Sequence, residues 1–236
     1  MCGRYSLTTP LEAMTQAFPV ANLPNLPARY NIAPTQAAPV IRRHPDGRLL
    51  LHNLVWGLIP HWARDRSGAA RLINARSETV DEKPAFRDAF RRHRCLIPAD
   101  GFYEWRRPDP KTREPWRIVR PDRRIFAFAG LWERWSRPQG GAAPVDSFTI
   151  ITTAASEPIA PIHDRMPVML EGASAMNWLN PGLDGADLLD LLQPTADVTA
   201  YRVSDRVGKV QNDDAGLIEP LGAEGLFDPA PDRSET

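Results

Sequence analysis

Short apolar segments separated by proline, glycine and aspartate recur along the chain, and they constrain its fold more than any other feature. Segments of this length and composition are typical of β-strands, and the breaks between them are typical of turns. Strands are predicted at residues 3–7, 94–98, 101–106, 116–120, 125–132, 148–153 and 199–203. A hairpin is predicted where residues 40–43 and 48–54 flank Pro45-Asp46-Gly47.

Helical patterns are few and short. They predict helices at residues 10–18, 84–94, 174–179 and 186–192. The first is opened by a capping box at Thr9-Pro10-Leu11-Glu12, with Pro10 at the first helical position. The proline-rich residues 19–39 are predicted to run irregularly over the surface. Many strands with scattered helices indicate an α+β, β-rich fold in a single domain. Residues 1–220 are assigned to this domain, and residues 221–236 to a flexible C-terminal tail rich in proline, glycine and acid.

The charge balance excludes any global electrostatic attraction to nucleic acid. The chain holds 29 basic and 29 acidic residues, so an anion site must be a local patch. Nearly all of the basic residues are arginine, which suits bidentate phosphate recognition, although composition alone can explain the excess. Each candidate arginine therefore needs its own argument.

The cysteines and histidines predict neither a disulfide framework nor a metal centre. Cys2 and Cys95 are the only cysteines, and the five histidines show no paired-ligand spacing, so no metal or cofactor is expected. There is no signal-peptide pattern and no apolar run long enough to span a bilayer. We therefore expect a cytoplasmic monomer in a reducing compartment, where the Cys2 thiol stays reduced.

Cys2 is the first candidate for chemistry. Removal of Met1 would leave it with an amine and a thiol on adjacent carbons, with ordinary pKa values of about 7.7–8.0 and about 8.5. The amine of such an aminothiol condenses with an aldehyde to a Schiff base, and the sulfur then closes a thiazolidine ring. Taken alone, a cysteine at this position is more often a chance occurrence.

Three further polar residues stand among turns and aromatics, each with two interpretations left open. Asn74 can bond a reacting group or hold a turn. Glu104 shares a strand face with Phe102, so it is either desolvated, with a raised pKa, or exposed on an alternating strand. His163, between Pro161 and Pro167, can donate a proton beside a phosphate or merely cap a turn. Neither a GxGxxG loop nor a P-loop is present.

Five motifs in one order resemble the SRAP (SOS-response-associated peptidase) family, also called abasic site processing proteins. They are Met1-Cys2-Gly3-Arg4-Tyr5, Trp56-Gly57-Leu58-Ile59-Pro60, Asn74-Ala75-Arg76-Ser77-Glu78-Thr79, Gly101-Phe102-Tyr103-Glu104-Trp105 and His163-Asp164-Arg165-Met166-Pro167. The resemblance extends from Met1 to about Pro220 and includes a closing motif at residues 209–213. It implies a β-rich, barrel-like core with peripheral short helices.

The resemblance also implies a chemistry. Family members bind single-stranded DNA and capture the aldehyde of an abasic site as a thiazolidine, which shields the lesion in the DNA damage response. Cys2 would be the nucleophile, Asn74 would position the cysteine and the sugar, Glu104 would relay protons, and His163 would assist near the sugar. A lyase activity and autoproteolytic removal of Met1 are further expectations.

DNA contacts are expected from four residues. By the resemblance, Arg4, Arg76 and Arg165 would hold backbone phosphates, where a forked guanidinium fits well. Trp62 could stack on bases, which is our own placement, since stacking contributes about 1–3 kcal/mol per base without sequence readout.

Two other functions remain open at this point. One is an N-terminal-nucleophile cysteine peptidase or amidase, in which Cys2 attacks an amide and His163 acts as the base. The other is a non-catalytic module that binds single-stranded DNA. Substitution of Cys2 separates these from the cross-linking function.

Overall fold

Thirteen strands and four short helices form the part of the chain that the computed structural model describes, namely residues 2–22, 24–136 and 143–222. The strands are β1 (Tyr5–Leu7), β2 (Arg29–Ile32), β3 (Ala37–Arg43), β4 (Leu49–Trp56), β5 (Asn74–Arg76), β6 (Arg94–Ala99), β7 (Gly101–Arg106), β8 (Glu114–Val119), β9 (Phe126–Trp135), β10 (Val145–Ala154), β11 (Arg165–Pro167), β12 (Met169–Leu170) and β13 (Thr199–Arg202). The helices are α1 (Leu11–Ala17), α2 (Arg87–Arg92), α3 (Gly172–Trp178) and α4 (Gly185–Asp190). Single 3₁₀ turns occur at Ala69–Arg71, Ser77–Thr79, Asp205–Gly208 and Ala215–Leu217.

Five strands close into a barrel. β10 pairs with β4, β4 with β3, β3 with β6, β6 with β9, and β9 pairs back with β10. Strands β5 and β11 pair with β10, and β12 pairs with β9. Closure removes the open edges that a sheet of this size would otherwise expose. The predicted β-rich, barrel-like core with peripheral short helices is thus confirmed.

A second sheet, in the order β13-β8-β7-β1-β2, packs against this barrel. The aromatic side chains at the junction meet edge to face: Tyr5 lies 5.4 Å from Trp56 and 5.6 Å from Phe128, and Phe102 lies 6.0 Å from Phe128. Such edge-to-face contacts add to the stabilisation from burial. The N-terminal strand β1 is therefore held between the second sheet and the barrel rather than on the surface.

A buried ion pair anchors the end of β1. Asp100 and Arg117 lie 3.0 Å apart, each side chain 7% exposed. Asp100 also accepts hydrogen bonds from the Ser6 hydroxyl at 2.7 Å, the Thr8 hydroxyl at 2.9 Å and the Thr9 backbone N–H at 2.8 Å. One carboxylate therefore fixes three consecutive parts of the N-terminal segment.

Two sequence-based predictions for the N-terminal third are wrong. The Thr9 side chain bonds Asp100 instead of capping α1. Helix α1 begins at Leu11 and its N-cap residue is Pro10, where no side chain forms a capping hydrogen bond. Residues 19–39 are not wholly irregular, because β2 lies within them and pairs with β1, Tyr5 opposite Ile32. In both cases a long-range contact overrides the local signal. The other predicted strands, the hairpin and the helices are present, with shifted ends.

Residues 223–236, which make up most of the predicted C-terminal tail, lie outside the described residues. Among the described helices, none has the length and apolar character that crossing a membrane requires.

Asp100→Asn should lower the free energy of unfolding by about 3–5 kcal/mol, because it leaves the Arg117 charge buried without its partner. Urea unfolding monitored by tryptophan fluorescence measures the change. Asp88→Asn is the control, since Asp88 belongs to an exposed pair with Arg87 and should change stability little. Equal effects of the two substitutions would show that Asp100 does not anchor the N-terminal segment.

Candidate active site

The pairing of β1 with β7 directs the N-terminus toward Glu104. Tyr5 lies opposite Phe102, and the Tyr103 N–H donates to the Arg4 carbonyl at 2.9 Å. Cys2 continues along this line and is fully buried. Burial raises the pKa of the Cys2 thiol, and the nearby negative charge of Glu104 raises it further. The sulfur is therefore a neutral thiol at pH 7.

Glu104 is a buried carboxyl group on β7, 2% exposed. Burial raises its pKa to about 7, and the negative charge of Asp164 acts in the same direction. The alternative of an exposed Glu104 is thus wrong. A carboxyl group with a pKa near the ambient pH can both take up and release protons.

His163 lies just before β11 with its Nε2 atom 3.9 Å from the Glu104 carboxylate. Burial lowers the pKa of His163, so the ring is neutral at pH 7. The backbone N–H of Arg165 donates to Nδ1 at 3.0 Å, which assigns the ring proton to Nε2. The exposed Asp164 carboxylate also lies 2.8 Å from Nδ1. This contact is an ion pair only when the His163 ring is charged and Nδ1 carries a proton.

Asn74 begins β5 and lies opposite Ile150 of the barrel strand β10, so it is a strand residue and not a turn residue. Its Nδ2 donates to the Ile73 carbonyl at 3.0 Å, and the same carbonyl accepts from Trp56 Nε1 at 2.9 Å. Its Oδ1 is buried and has no hydrogen-bond partner among the described residues. The side chain therefore holds an acceptor that a ligand can satisfy.

Arg165 and Arg76 meet at the carboxyl-terminal end of β10. Arg165 forms a bidentate ion pair with Glu78, one contact measuring 2.9 Å, and donates to the Thr152 carbonyl at 2.6 Å. Arg76 lies opposite Thr152 in the β5–β10 ladder and is exposed. The Glu78 carboxylate thus occupies the fork of guanidinium N–H donors on Arg165 that a phosphate would use.

Arg4 makes a different set of contacts. Its guanidinium donates to the carbonyls of Val207 at 2.6 Å and Gly208 at 3.1 Å, and to Asn31 Oδ1 at 2.9 Å. Burial lowers the pKa of Arg4. These bonds favour a role in anchoring the N-terminal segment to the 3₁₀ turn Asp205–Gly208. Its expected phosphate contact stays a prediction that the geometry does not favour.

Trp62 is exposed, with 57% of its surface accessible, in the loop that follows β4. It lines a cavity of about 210 Å³ with Pro60 and Leu72. Glu104 and His163 line another cavity, so Trp62 does not share theirs. Leu72 is nevertheless only two residues from Asn74, so the two regions are neighbours along the chain.

The cavity at Glu104 and His163 is an open groove of about 640 Å³. Its wall also includes Arg107 and Arg113, which the motifs did not identify. Extending the predicted strand at 101–106 into its turn would have found both, because they flank the loop on either side. Among the described residues, no three histidine, cysteine or carboxylate side chains are grouped as a metal site requires.

Comparison with known proteins gives one consistent family. The profile of the family described as SOS response associated peptidase (SRAP) matches residues 1–210. The abasic site processing protein YoqW of Bacillus subtilis is 44% identical over 93% of this chain and 99% of its own length. The abasic site processing protein HMCES of Pongo abelii is 29% identical over 94% of this chain and 76% of its own. A crystal structure of a Bacteroides thetaiotaomicron protein has a TM-score of 0.81 at 28% identity, covering 93% of this chain and all of the other.

The pKa of Glu104 predicts how stability depends on pH. The folded protein holds this proton up to a pKa of about 7, whereas the unfolded chain releases it near 4.5. The stabilisation that protonated Glu104 contributes is complete below pH 4.5 and is lost as the pH rises through 7. The free energy of unfolding changes by up to about 3 kcal/mol over this range. Wild type should thus lose stability relative to Glu104→Gln between pH 4 and pH 8 in urea unfolding. Parallel pH profiles for the two proteins would contradict a raised pKa.

Proposed function

The chain belongs to the SOS response associated peptidase (SRAP) family, and from that premise we propose that it processes abasic sites in single-stranded DNA by covalent cross-linking. The cross-link is a thiazolidine between the mature N-terminal Cys2 and the aldehyde of the ring-opened sugar. One observation carries the proposal. A buried Glu104, with a pKa of about 7, lies beside His163 and near Cys2. The names of the relatives YoqW and HMCES support the same substrate class.

Removal of Met1 frees the amine of Cys2, which is the first nucleophile. The thiol is neutral because of its burial, so the amine attacks the aldehyde carbon before the sulfur does. With a proton supplied by Glu104 in its acid form, the resulting carbinolamine loses its hydroxyl group as water and leaves a protonated imine. His163, whose Nε2 proton points to Glu104, helps to hold that carboxyl group in place.

Ring closure is the second step. Sγ adds to the carbon of the protonated imine, the thiol proton passes to the Glu104 carboxylate, and the nitrogen keeps its own proton as the amine of the thiazolidine. In the net reaction, the aldehyde and the aminothiol combine with the loss of one water molecule. Since Glu104 gives a proton in the first step and receives one in the second, a pKa near neutrality suits both directions. Asn74 Oδ1 accepts from the amine or a sugar hydroxyl.

Binding of the strand rests on local charges, since the net charge of the chain is zero. Arg76 and Arg165 hold backbone phosphates, and a phosphate displaces Glu78 from the Arg165 fork. Trp62 stacks on a base at a distance from the reacting carbon. Selection of the lesion is chemical, because only an abasic site offers an aldehyde, and a missing base lowers the cost of extruding the sugar.

Amide hydrolysis is the second candidate, because the family description contains the word peptidase. It needs a thiolate made by a neighbouring base. His163 contacts Glu104 and Asp164, and burial keeps the Cys2 thiol neutral, so the geometry favours aldehyde capture. Autoproteolytic removal of Met1 and a lyase reaction remain compatible activities of the same site.

Substitution of Cys2 tests the mechanism. Wild type lacking Met1 should gain the mass of an oligonucleotide with one abasic site, less one water, in intact-protein mass spectrometry. Cys2→Ser and Cys2→Ala keep an N-terminal amine after Met1 removal, so borohydride should trap their imine, yet neither can close a thiazolidine that survives without reduction.

Three outcomes separate the functions. A durable adduct of Cys2→Ala without reduction would contradict the thiazolidine mechanism. Loss of Met1 with no adduct in wild type would favour the amide hydrolase. Binding of the same oligonucleotide with neither adduct nor imine would favour a non-catalytic module.

Glu104→Gln should slow cross-linking by about 10²–10⁴-fold, the usual contribution of general acid–base catalysis. Affinity for an oligonucleotide with a tetrahydrofuran abasic analogue, which has no aldehyde, should stay within about twofold. The control is Glu133→Gln, because Glu133 is equally buried but lines a separate cavity with His61 and His93. Equal slowing by both variants, or equal loss of binding and rate in Glu104→Gln, would make Glu104 a structural residue.

A further inference from the structure

Two arginines flank the turn that joins β7 to β8. The last pair of the ladder between these strands is Arg106 with Glu114. Arg107 follows the last residue of β7, and Arg113 precedes the first residue of β8. Both side chains are exposed, and both line the groove that contains Glu104 and His163.

The charges of this arginine pair are not neutralised by the protein. Among the described residues, neither Arg107 nor Arg113 forms an ion pair. The adjacent Arg106 differs, since it lies 3.8 Å from Glu114, which also contacts Arg202 at 3.7 Å. Two positive charges that line one groove repel each other. An anion between Arg107 and Arg113 would remove that cost.

The groove joins this arginine pair to the reacting centre. One cavity of about 640 Å³ is lined by Glu104 and His163 and by both arginines of the pair. The positive charge of Arg107 reaches His163, where it adds to the effect of burial in lowering the pKa of the ring. A ligand seated at His163 therefore lies within the field of the arginine pair.

Arg165 differs from the arginine pair. Its guanidinium bonds Glu78 and Thr152, and Arg165 is not among the residues that line the groove, although Asp164, the residue before it, is. A strand whose abasic sugar lies at Glu104 and His163 would therefore have the arginine pair within the same groove and Arg165 outside it.

We propose that Arg107 and Arg113 together bind one internal backbone phosphate of the DNA strand on one side of the abasic sugar. This inference rests on the proposed function, because it places the sugar at Glu104 and His163. The arginine pair then sets on which side of the lesion the strand must continue. Guanidinium groups suit this task, since each can offer two parallel N–H donors to phosphate oxygens.

The test measures non-covalent binding of single-stranded DNA that carries one tetrahydrofuran abasic analogue, by fluorescence anisotropy over a range of salt. The double variant Arg107→Gln/Arg113→Gln should bind about tenfold more weakly at low salt. The slope of log K against log salt should become shallower by about 0.7, the value for one lost phosphate contact on a single strand. Arg106→Gln, with its partner Glu114, is the control and should keep the wild-type slope.

A second arm locates the phosphate. Each linkage near the analogue is replaced in turn by a neutral methylphosphonate. A single linkage, on one side of the lesion, should weaken wild type when neutralised and leave the double variant unaffected. Strands that end at the analogue, with and without a terminal phosphate, test whether a phosphate monoester serves as well. If a strand that ends at the analogue with a terminal phosphate binds as tightly as the continuous strand, the assignment to an internal linkage is overturned.

Two results would overturn the inference as a whole: a wild-type slope for the double variant, or linkages that affect both proteins equally. Because the analogue has no aldehyde, these assays do not depend on cross-linking. Failure of wild type to cross-link true abasic DNA would instead count against the proposed function.

Discussion

The site depends on holding the N-terminal segment, from Cys2 to Thr9, inside the protein. Terminal residues usually fray, because few contacts offset the entropy of ordering them. Here the N-terminal segment is fixed at two points. Asp100 binds the far end of β1, and Arg4 donates to carbonyls of the 3₁₀ turn Asp205–Gly208. Asn31 accepts from Arg4 and donates to the carbonyls of Val207, Lys209 and Asn212.

The same enclosure determines the protonation of every candidate catalytic group. Burial is the largest cause of the raised pKa of Cys2 and of Glu104, and of the lowered pKa of His163. Each shift disfavours the charged form, as low dielectric requires. A neutral thiol, a carboxyl group near its pKa and a neutral imidazole suit imine chemistry better than thiolate attack on an amide. The interior position of the N-terminus thus favours one reaction class.

Local patterns predicted most strands because the residues of a half-buried strand alternate between the core and solvent, as those of β4 do over residues 49–56. They failed where a distant partner decides the outcome. Thr9 matched a cap but bonds Asp100, 91 residues away, and β2 exists because β1 pairs with it. The candidate site behaved likewise. Cys2, Glu104 and His163 were identified from their motifs, whereas Arg107 and Arg113 lie outside every motif and are brought into the same groove by the hairpin of β7 and β8.

Arginine alone does not mark a DNA contact in this protein, and the ion-pair partners explain why. Arg117 is locked to a buried carboxylate and Arg4 to backbone carbonyls, so their positive charge is used within the fold. Arg165 is paired with a half-exposed Glu78, which a phosphate can displace at the cost of one ion pair. Under the proposed function, the engagement of these arginines and the zero net charge of the chain would keep reversible binding to undamaged strands weak. A long lifetime on damaged DNA would then have to come from the proposed covalent bond.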